Sequence, residues 1–157
     1  MLLQSAARGI SFIEVIIVMA LIALVANYTF VVSVGAYRAT LRHMSRSSLV
    51  TALQHARAES ITGHCEAQLC ATGMPHGVFI QHGTYVVFEG GSYALRDTAA
   101  DEVISADPAT TARGLFEIVF AANTGDVEET GDIVLSDPTG FTSTTTIGSE
   151  GQISWSN

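Results

Sequence analysis

From residue 9 to residue 26 the chain reads GISFIEVIIVMALIALVA, and Glu14 is the only charged residue between Ile10 and Tyr37. The apolar run is longer than the roughly 7–15 residues of a secretory signal peptide, and no small-residue cleavage site followed by a polar segment comes after it. About 20 apolar residues are enough for a helix to cross a bilayer. The sequence therefore predicts a retained transmembrane helix over residues 10–37. A helix buried in a soluble core is the less favoured alternative, because such a helix normally has a polar face.

Glu14 is an unusual residue for a predicted membrane span. An ionised side chain at the centre of a bilayer costs about 2.5–3.5 kcal/mol on insertion scales. A carboxylate at such a position is therefore expected to have a partner. Identifying that partner is the main functional question that the sequence raises.

The charges divide the chain into a basic first part and an acidic second part. Residues 1–57 hold five arginines against Glu14, whereas residues 58–157 hold two arginines against fourteen acids, which gives +4 and −12 and the net charge of −8. An acidic head repels phosphate groups, so nucleic acid is not an expected partner. The basic part can contact anionic lipid headgroups. The arginines after the apolar run, taken alone, would place the C-terminal side in the cytoplasm.

The segment around Glu14 resembles the N-terminal signal of type IV pilins and pseudopilins. Gly9 matches the last residue of a short basic leader, Ile10 the first mature residue and Glu14 the glutamate at the fifth mature position. The resemblance implies that a prepilin peptidase removes the leader, residues 1–9, by cleaving between Gly9 and Ile10. It also implies N-methylation of the new Ile10 amine, a cytoplasmic leader and an outward-facing head, which overrides the arginine count.

The rest of the chain predicts an α+β fold. Residues 38–62 continue the helix with an apolar face at three- and four-residue spacing, and Gly63 follows the expected last turn. The members of this face are Leu41, Met44, Ser48, Ala52, Ala56 and Ser60, widened by Leu49 and Leu53. Residues 63–157 are expected to form a head of short antiparallel strands in one sheet, packed on this second half of the helix. With the N-terminal resemblance, the whole is expected to be a pilin fold.

Seven strands are predicted in the head. The strongest signal is a hairpin of residues 77–80 and 84–88. The others are residues 102–105, 115–120, 132–135, 144–147 and 152–155. Residues 93–112 have the least regular pattern and are predicted to form a surface loop. Short segments at 53–61, 83–88 and 146–153 are similar to the H-type minor pseudopilins of type II secretion and to related minor pilins.

No catalytic arrangement is recognised, and the chain is not expected to be an enzyme, because its five histidines are scattered and stand near no nucleophile signature. Cys65 and Cys70 can close a small disulfide loop if the head lies outside the cytoplasm, with free thiols as an alternative. A zinc site of His64, Cys65, Cys70, His76 and His82 is less favoured because the spacing is loose. No metal and no cofactor are therefore predicted.

Taken together, the resemblance implies a structural subunit of a type IV pilus-like or type II secretion pseudopilus filament. Its partners would be prepilin peptidase, other pilin or pseudopilin subunits, an inner-membrane assembly platform and, before assembly, membrane lipid. The protein would be a single-pass inner-membrane protein with an extracytoplasmic head, and later part of a periplasmic or extracellular filament. Glu14 would pair there with the Ile10 amine of a neighbouring subunit, which would fix the register.

Three alternatives stay open from the sequence. The likeness to H-type pseudopilins favours a minor subunit, but a major pilin is the alternative. A different class is a membrane-anchored binding module whose acidic head captures a cation, a substrate or a secreted client. Arg38, Arg42 and Arg46 share one helical face, which is either a solvated stripe or a surface for acidic heads of neighbouring subunits.

Overall fold

The computed structural model of the chain describes residues 12–65 and 73–156, with the backbone alone described at residues 30–36, 38–39 and 41–42. These residues form a long helix and eight strands. They are α1 (Phe12–Thr62), β1 (His76–Gln81), β2 (Thr84–Glu89), β3 (Glu102–Ser105), β4 (Thr111–Gly114), β5 (Glu117–Phe120), β6 (Gly131–Ser136), β7 (Thr142–Ile147) and β8 (Ile153–Ser156). Two single-turn 3₁₀ helices, Tyr93–Leu95 and Thr98–Ala100, precede β3. The chain separates into two units, Met1–Thr40 and Leu41–Asn157.

The first unit contains the apolar part of α1. Phe12–Thr29 is long and apolar enough to cross a membrane, and none of its side chains is buried within the protein. Its polar side chains are satisfied inside the helix: the Asn27 amide donates to the Ala23 carbonyl at 2.7 Å, and the Thr29 hydroxyl donates to the Val25 carbonyl at 2.9 Å. Such local bonding suits a bilayer, where no water is present to satisfy polar groups.

In the second unit the strands form two four-stranded antiparallel sheets, whereas the sequence predicted one. The first sheet has the order β3-β2-β1-β5 and the second the order β4-β6-β7-β8. The predicted hairpin is confirmed, since β1 pairs with β2 with Val78 opposite Val87. The other edge of β1 pairs with β5, with Val78 opposite Ile118. The α+β class expected from the sequence is therefore found, with the strands divided between two sheets.

One core lies between the second half of α1 and both sheets. The helix contributes Leu49, Ala52, Leu53 and Ala56. The first sheet contributes Val78, Ile80, Tyr85, Val87, Ile118 and Phe120, and the second Ile133, Leu135 and Ile147. Each large apolar side chain that is fully buried contributes about 1.5–3 kcal/mol relative to exposure. Because the helix covers residues of both sheets, it holds the two sheets together.

The buried face of α1 differs from the predicted one near its beginning. Met44 was expected to face the sheet but is 60 % exposed, whereas Ser45 is buried. Leu49 and Leu53 lie at the centre of the buried stripe, and Ser45 lies one turn before Leu49 on the same face. The prediction for Met44 was wrong because it treated Leu49 and Leu53 as the margin of the stripe.

The helix ends at Thr62 through a glycine cap. Gly63 has a φ of 64°, and the amide of His64 donates to the Glu59 carbonyl at 3.1 Å. This bond from the residue after the glycine to the last turn is the Schellman arrangement, which satisfies a helix-end carbonyl. The helix end had been predicted from the position of Gly63 in the sequence.

Candidate assembly site

Glu14 lies in the first described turn of α1, with its side chain exposed. Its neighbours Phe12, Ile13 and Val15 are also exposed and apolar. Among the described residues, none forms a hydrogen bond or an ion pair with the Glu14 carboxylate. The site is therefore a lone acid on an apolar helix surface, chemically suited to a cationic partner.

The other two residues of the predicted signal, Gly9 and Ile10, lie outside the described residues. Cleavage between them and methylation of the Ile10 amine stay predictions. So does the pairing of Glu14 with that amine.

Two arginines of the second unit already bind groups within that unit. Arg57 on α1 donates through Nη2 to the Glu150 carbonyl at 3.0 Å. Arg96 donates through Nε to both carboxylate oxygens of Asp101 at 2.9 Å, and its guanidinium lies over the Tyr93 ring. These two cations stabilise the head. Arg38 and Arg42, from the predicted basic stripe, are described only by their backbone.

The Arg57 contact joins the helix to two loops. A Cβ atom on Gly151 would meet the Gly125 carbonyl, and it would lie 2.7 Å from Nε of Arg57. Gly125 in turn lies against Arg57 and Ile61 of the helix. The loop before β8 and the loop after β5 therefore meet on Arg57. The sequence singled out residues 53–61 and 146–153 only for their likeness to a family, and it did not predict that they meet.

Cys65 is disulfide-bonded in the structure. The partner predicted from the sequence, Cys70, lies outside the described residues. The zinc site considered as an alternative is not assembled. A disulfide sulfur is not a thiolate ligand. His76 begins the six-residue strand β1, whereas His82 lies in the turn after its last residue, roughly 20 Å away at the rise of a strand.

Tyr85 has a clearly shifted pKa. It lies in the core with its hydroxyl 3.4 Å from the Ser45 carbonyl. Burial, followed by the negative charge of Asp107, raises the pKa of Tyr85 to about 12. Both causes disfavour the phenolate, so this side chain is a neutral part of the core.

Sequence reasoning missed one group of polar residues. His55, Glu59, His76 and Glu102 come from α1, β1 and β3 and line one cavity at the edge of the first sheet. Of these, only His76 was considered, and with other partners. The spacing of His55 and Glu59, four residues apart on the helix, was a weak signal of a shared polar site. Nothing in the sequence shows that β1 and β3 pack next to them.

Comparison with known proteins gives no match to a family model, to a curated protein or to a solved structure.

Proposed function

We propose that the protein is a structural subunit of a filament of the type IV pilus or type II secretion pseudopilus kind. The observation that carries the proposal is Glu14, an acid without a described partner on an exposed apolar helix of membrane-spanning length. A carboxylate in that setting calls for a cation from another molecule. The amine that cleavage after Gly9 would create at Ile10 of a neighbouring subunit has the required charge.

Assembly would transfer Phe12–Thr29 from lipid into contact with the same segment of other subunits. Lipid chains are as apolar as these side chains, so apolar burial supplies little net driving force when helices leave lipid for one another. Van der Waals packing and ionic contacts then decide which arrangement forms. An ion pair that forms at one register only would make Glu14 the residue that sets the register.

The remaining features fit this proposal. A head of antiparallel strands packed on the second half of a long helix is the arrangement that a pilin fold requires. The leader would stay in the cytoplasm and the head would lie outside, where a disulfide at Cys65 is stable. The likeness of three short segments to H-type pseudopilins favours a minor subunit.

The decisive experiment replaces Glu14 in the native host and measures the subunit in sheared filaments and in membranes by immunoblotting. We expect Glu14→Leu and Glu14→Gln to stay in the membrane and to be lost from filaments, and Glu14→Asp to retain part of the assembly. Asn27→Ala is the matched control, because Asn27 is a polar residue of the same helix whose side chain bonds only within the helix. Normal filament levels of Glu14→Leu would refute the proposal and favour a membrane-anchored binding module.

Processing has its own test. Gly9→Val should leave the leader attached, so the mature N-terminus at Ile10 should disappear from mass spectra of the purified protein. A chain that begins at Ile10 in this variant would contradict cleavage by a prepilin peptidase at that bond. The copy number relative to other subunits in wild-type filaments separates a minor subunit from a major pilin.

A further inference from the structure

A cavity of about 280 Å³ lies between the last turns of α1 and the first sheet. Three histidines and three glutamates line it: His55, Glu59, His76 and Glu102, with His64 and Glu89 beside them. The first four carry the argument below. His55 and Glu59 stand one turn apart on the helix and therefore share a face. His76 begins β1 and Glu102 begins β3. Imidazole and carboxylate groups from three elements are thus gathered at one place in the head.

The His76 ring is held in an orientation that leaves its Nε2 available to bind a metal ion. Its side chain is only 4 % exposed, and its Nδ1 lies 3.2 Å from the Met74 carbonyl oxygen. A carbonyl accepts but cannot donate, so the proton is on Nδ1 and, in the neutral ring, Nε2 carries a free lone pair. The nearest charged atom to that nitrogen is Oε2 of Glu59, at 4.0 Å. This distance is too long for a hydrogen bond.

His55 is oriented in the same way. Its Nδ1 lies 3.1 Å from Oε2 of Glu102, and its Nε2 lies 3.3 Å from Oε1 of Glu59. Glu102 is thus placed to accept the Nδ1 proton, while Nε2 faces Glu59. Both histidines therefore have Nδ1 held by an oxygen acceptor and Nε2 turned toward one carboxylate. Metal-binding histidines show this arrangement, in which the second nitrogen donates to a carboxylate or a carbonyl.

We propose that this cavity binds one divalent transition-metal ion of the zinc type through His55 Nε2, His76 Nε2 and the Glu59 carboxylate. Glu102 and the Met74 carbonyl orient the two imidazoles. Two histidines and one glutamate form a known zinc ligand set, and nitrogen ligands favour zinc and its neighbours over calcium or magnesium. A fourth position is left for water or for a group from a partner.

The separations between Glu59 and the two imidazoles are close to those around such an ion. Zinc–ligand distances of about 2.1 Å place the donors of a tetrahedral site about 3.4 Å apart. The two donor separations at Glu59 are 3.3 Å and 4.0 Å. No three such side chains of the described residues are already arranged to hold a metal, so the Glu59 carboxylate has to turn toward His76. Glu59 and His55 are 21 % and 45 % exposed and have room to turn.

The test uses the full-length protein without a histidine tag, purified in detergent, stripped with a chelator and titrated with Zn²⁺ by calorimetry. Co²⁺ absorption in the visible range reports the ligand geometry. We expect one ion per chain, an affinity at least tenfold lower for His55→Ala and for Glu59→Gln, and a smaller loss for Glu102→Gln. His55 and Glu59 are not core residues, so circular dichroism should show both variants folded.

His82→Ala and His43→Ala are the matched controls, because both residues are exposed histidines outside the cavity. Both variants should bind within twofold of the wild type. Three results would overturn the proposal: no stoichiometric binding by the wild type, wild-type affinity in His55→Ala or Glu59→Gln, or an equal loss in His82→Ala. None of these readouts depends on filament assembly, so the site and the proposed function can fail separately.

Discussion

The hydroxyl of Ser60 on α1 accepts a hydrogen bond from the amide of His76 at 2.9 Å, and both residues are buried. The same hydroxyl donates to the Phe120 carbonyl at 3.1 Å. His76 and Phe120 are direct partners across β1 and β5. One helix side chain thus completes the backbone bonding at the end of this strand pair.

Ser60→Ala should lower the stability of the head because it leaves the His76 amide without its partner in a buried place. We expect a loss of about 1–3 kcal/mol in the free energy of unfolding, the cost of an unsatisfied buried group. Urea denaturation followed by tryptophan fluorescence measures it. Thr62→Ala, which removes an exposed hydroxyl bonded within the same helix, should change stability by less than about 0.5 kcal/mol. Equal effects would contradict the role given to Ser60.

Gly151→Ala should be more destabilising than Gly140→Ala. Both glycines have positive φ angles, 68° and 84°, so an alanine is strained at either position. A Cβ at Gly151 would meet the Gly125 carbonyl and Arg57, whereas the space around Gly140 is open. The difference in melting temperature therefore isolates the steric clash, for which we expect an additional cost of about 1–3 kcal/mol. Equal melting temperatures would show that the loops do not meet closely on Arg57.

Raising the pH should destabilise the head through Tyr85. Its pKa is raised from 10.0 to about 12 in the folded protein. Below pH 10 the side chain is protonated in both states and has no effect on the pH dependence. Between pH 10 and about 12 the unfolded chain loses the proton that the folded chain keeps, so higher pH favours unfolding. The full shift corresponds to at most about 3 kcal/mol.

Tyr85→Phe provides the control for this pH dependence. The stability of the variant should decline less steeply between pH 10 and 12, because it has no phenol to ionise. The measurement is denaturant unfolding at a series of pH values, and parallel curves for the two proteins would contradict the assignment.

The two cysteines should not react with maleimide before the protein is reduced. Because Cys65 is disulfide-bonded and Cys70 is the only other cysteine of the sequence, maleimide should label neither residue in denatured protein without a reductant. After reduction two labels should be added, as measured by mass spectrometry. Labelling before reduction would indicate free thiols.

The sequence predicted most strands but not their division into two sheets. All seven predicted strands are present, because each is rich in apolar or β-branched residues and is bounded by turn residues. Thr111–Gly114 was missed, since its sequence TARG has no apolar alternation and it is a strand only through its pairing with β6, with Arg113 opposite Val134. Which strands pair is decided by contacts between distant segments, and a local pattern cannot show that β5 returns to β1.

Of the two candidate sites, one could be recognised from the sequence and the other could not. Glu14 was recognisable because its exceptional character is local: one charge in an apolar run. The cavity lined by His55, Glu59, His76 and Glu102 was not recognisable, because these residues are distant in sequence and meet only when α1 packs on the first sheet. Trp155 is half exposed on the outermost strand β8, whose edge position the sequence could not reveal.

The helix side chains of the core determine where a soluble fragment of the head should begin. They are Leu49, Ala52, Leu53 and Ala56. A fragment of residues 63–157 contains all the strands that the structure describes but lacks the side chains that cover Ile118, Phe120 and Ile133. It would present this apolar surface to water and is expected to aggregate. A fragment that begins at Leu41 keeps the covering helix, so binding studies of the head should start there.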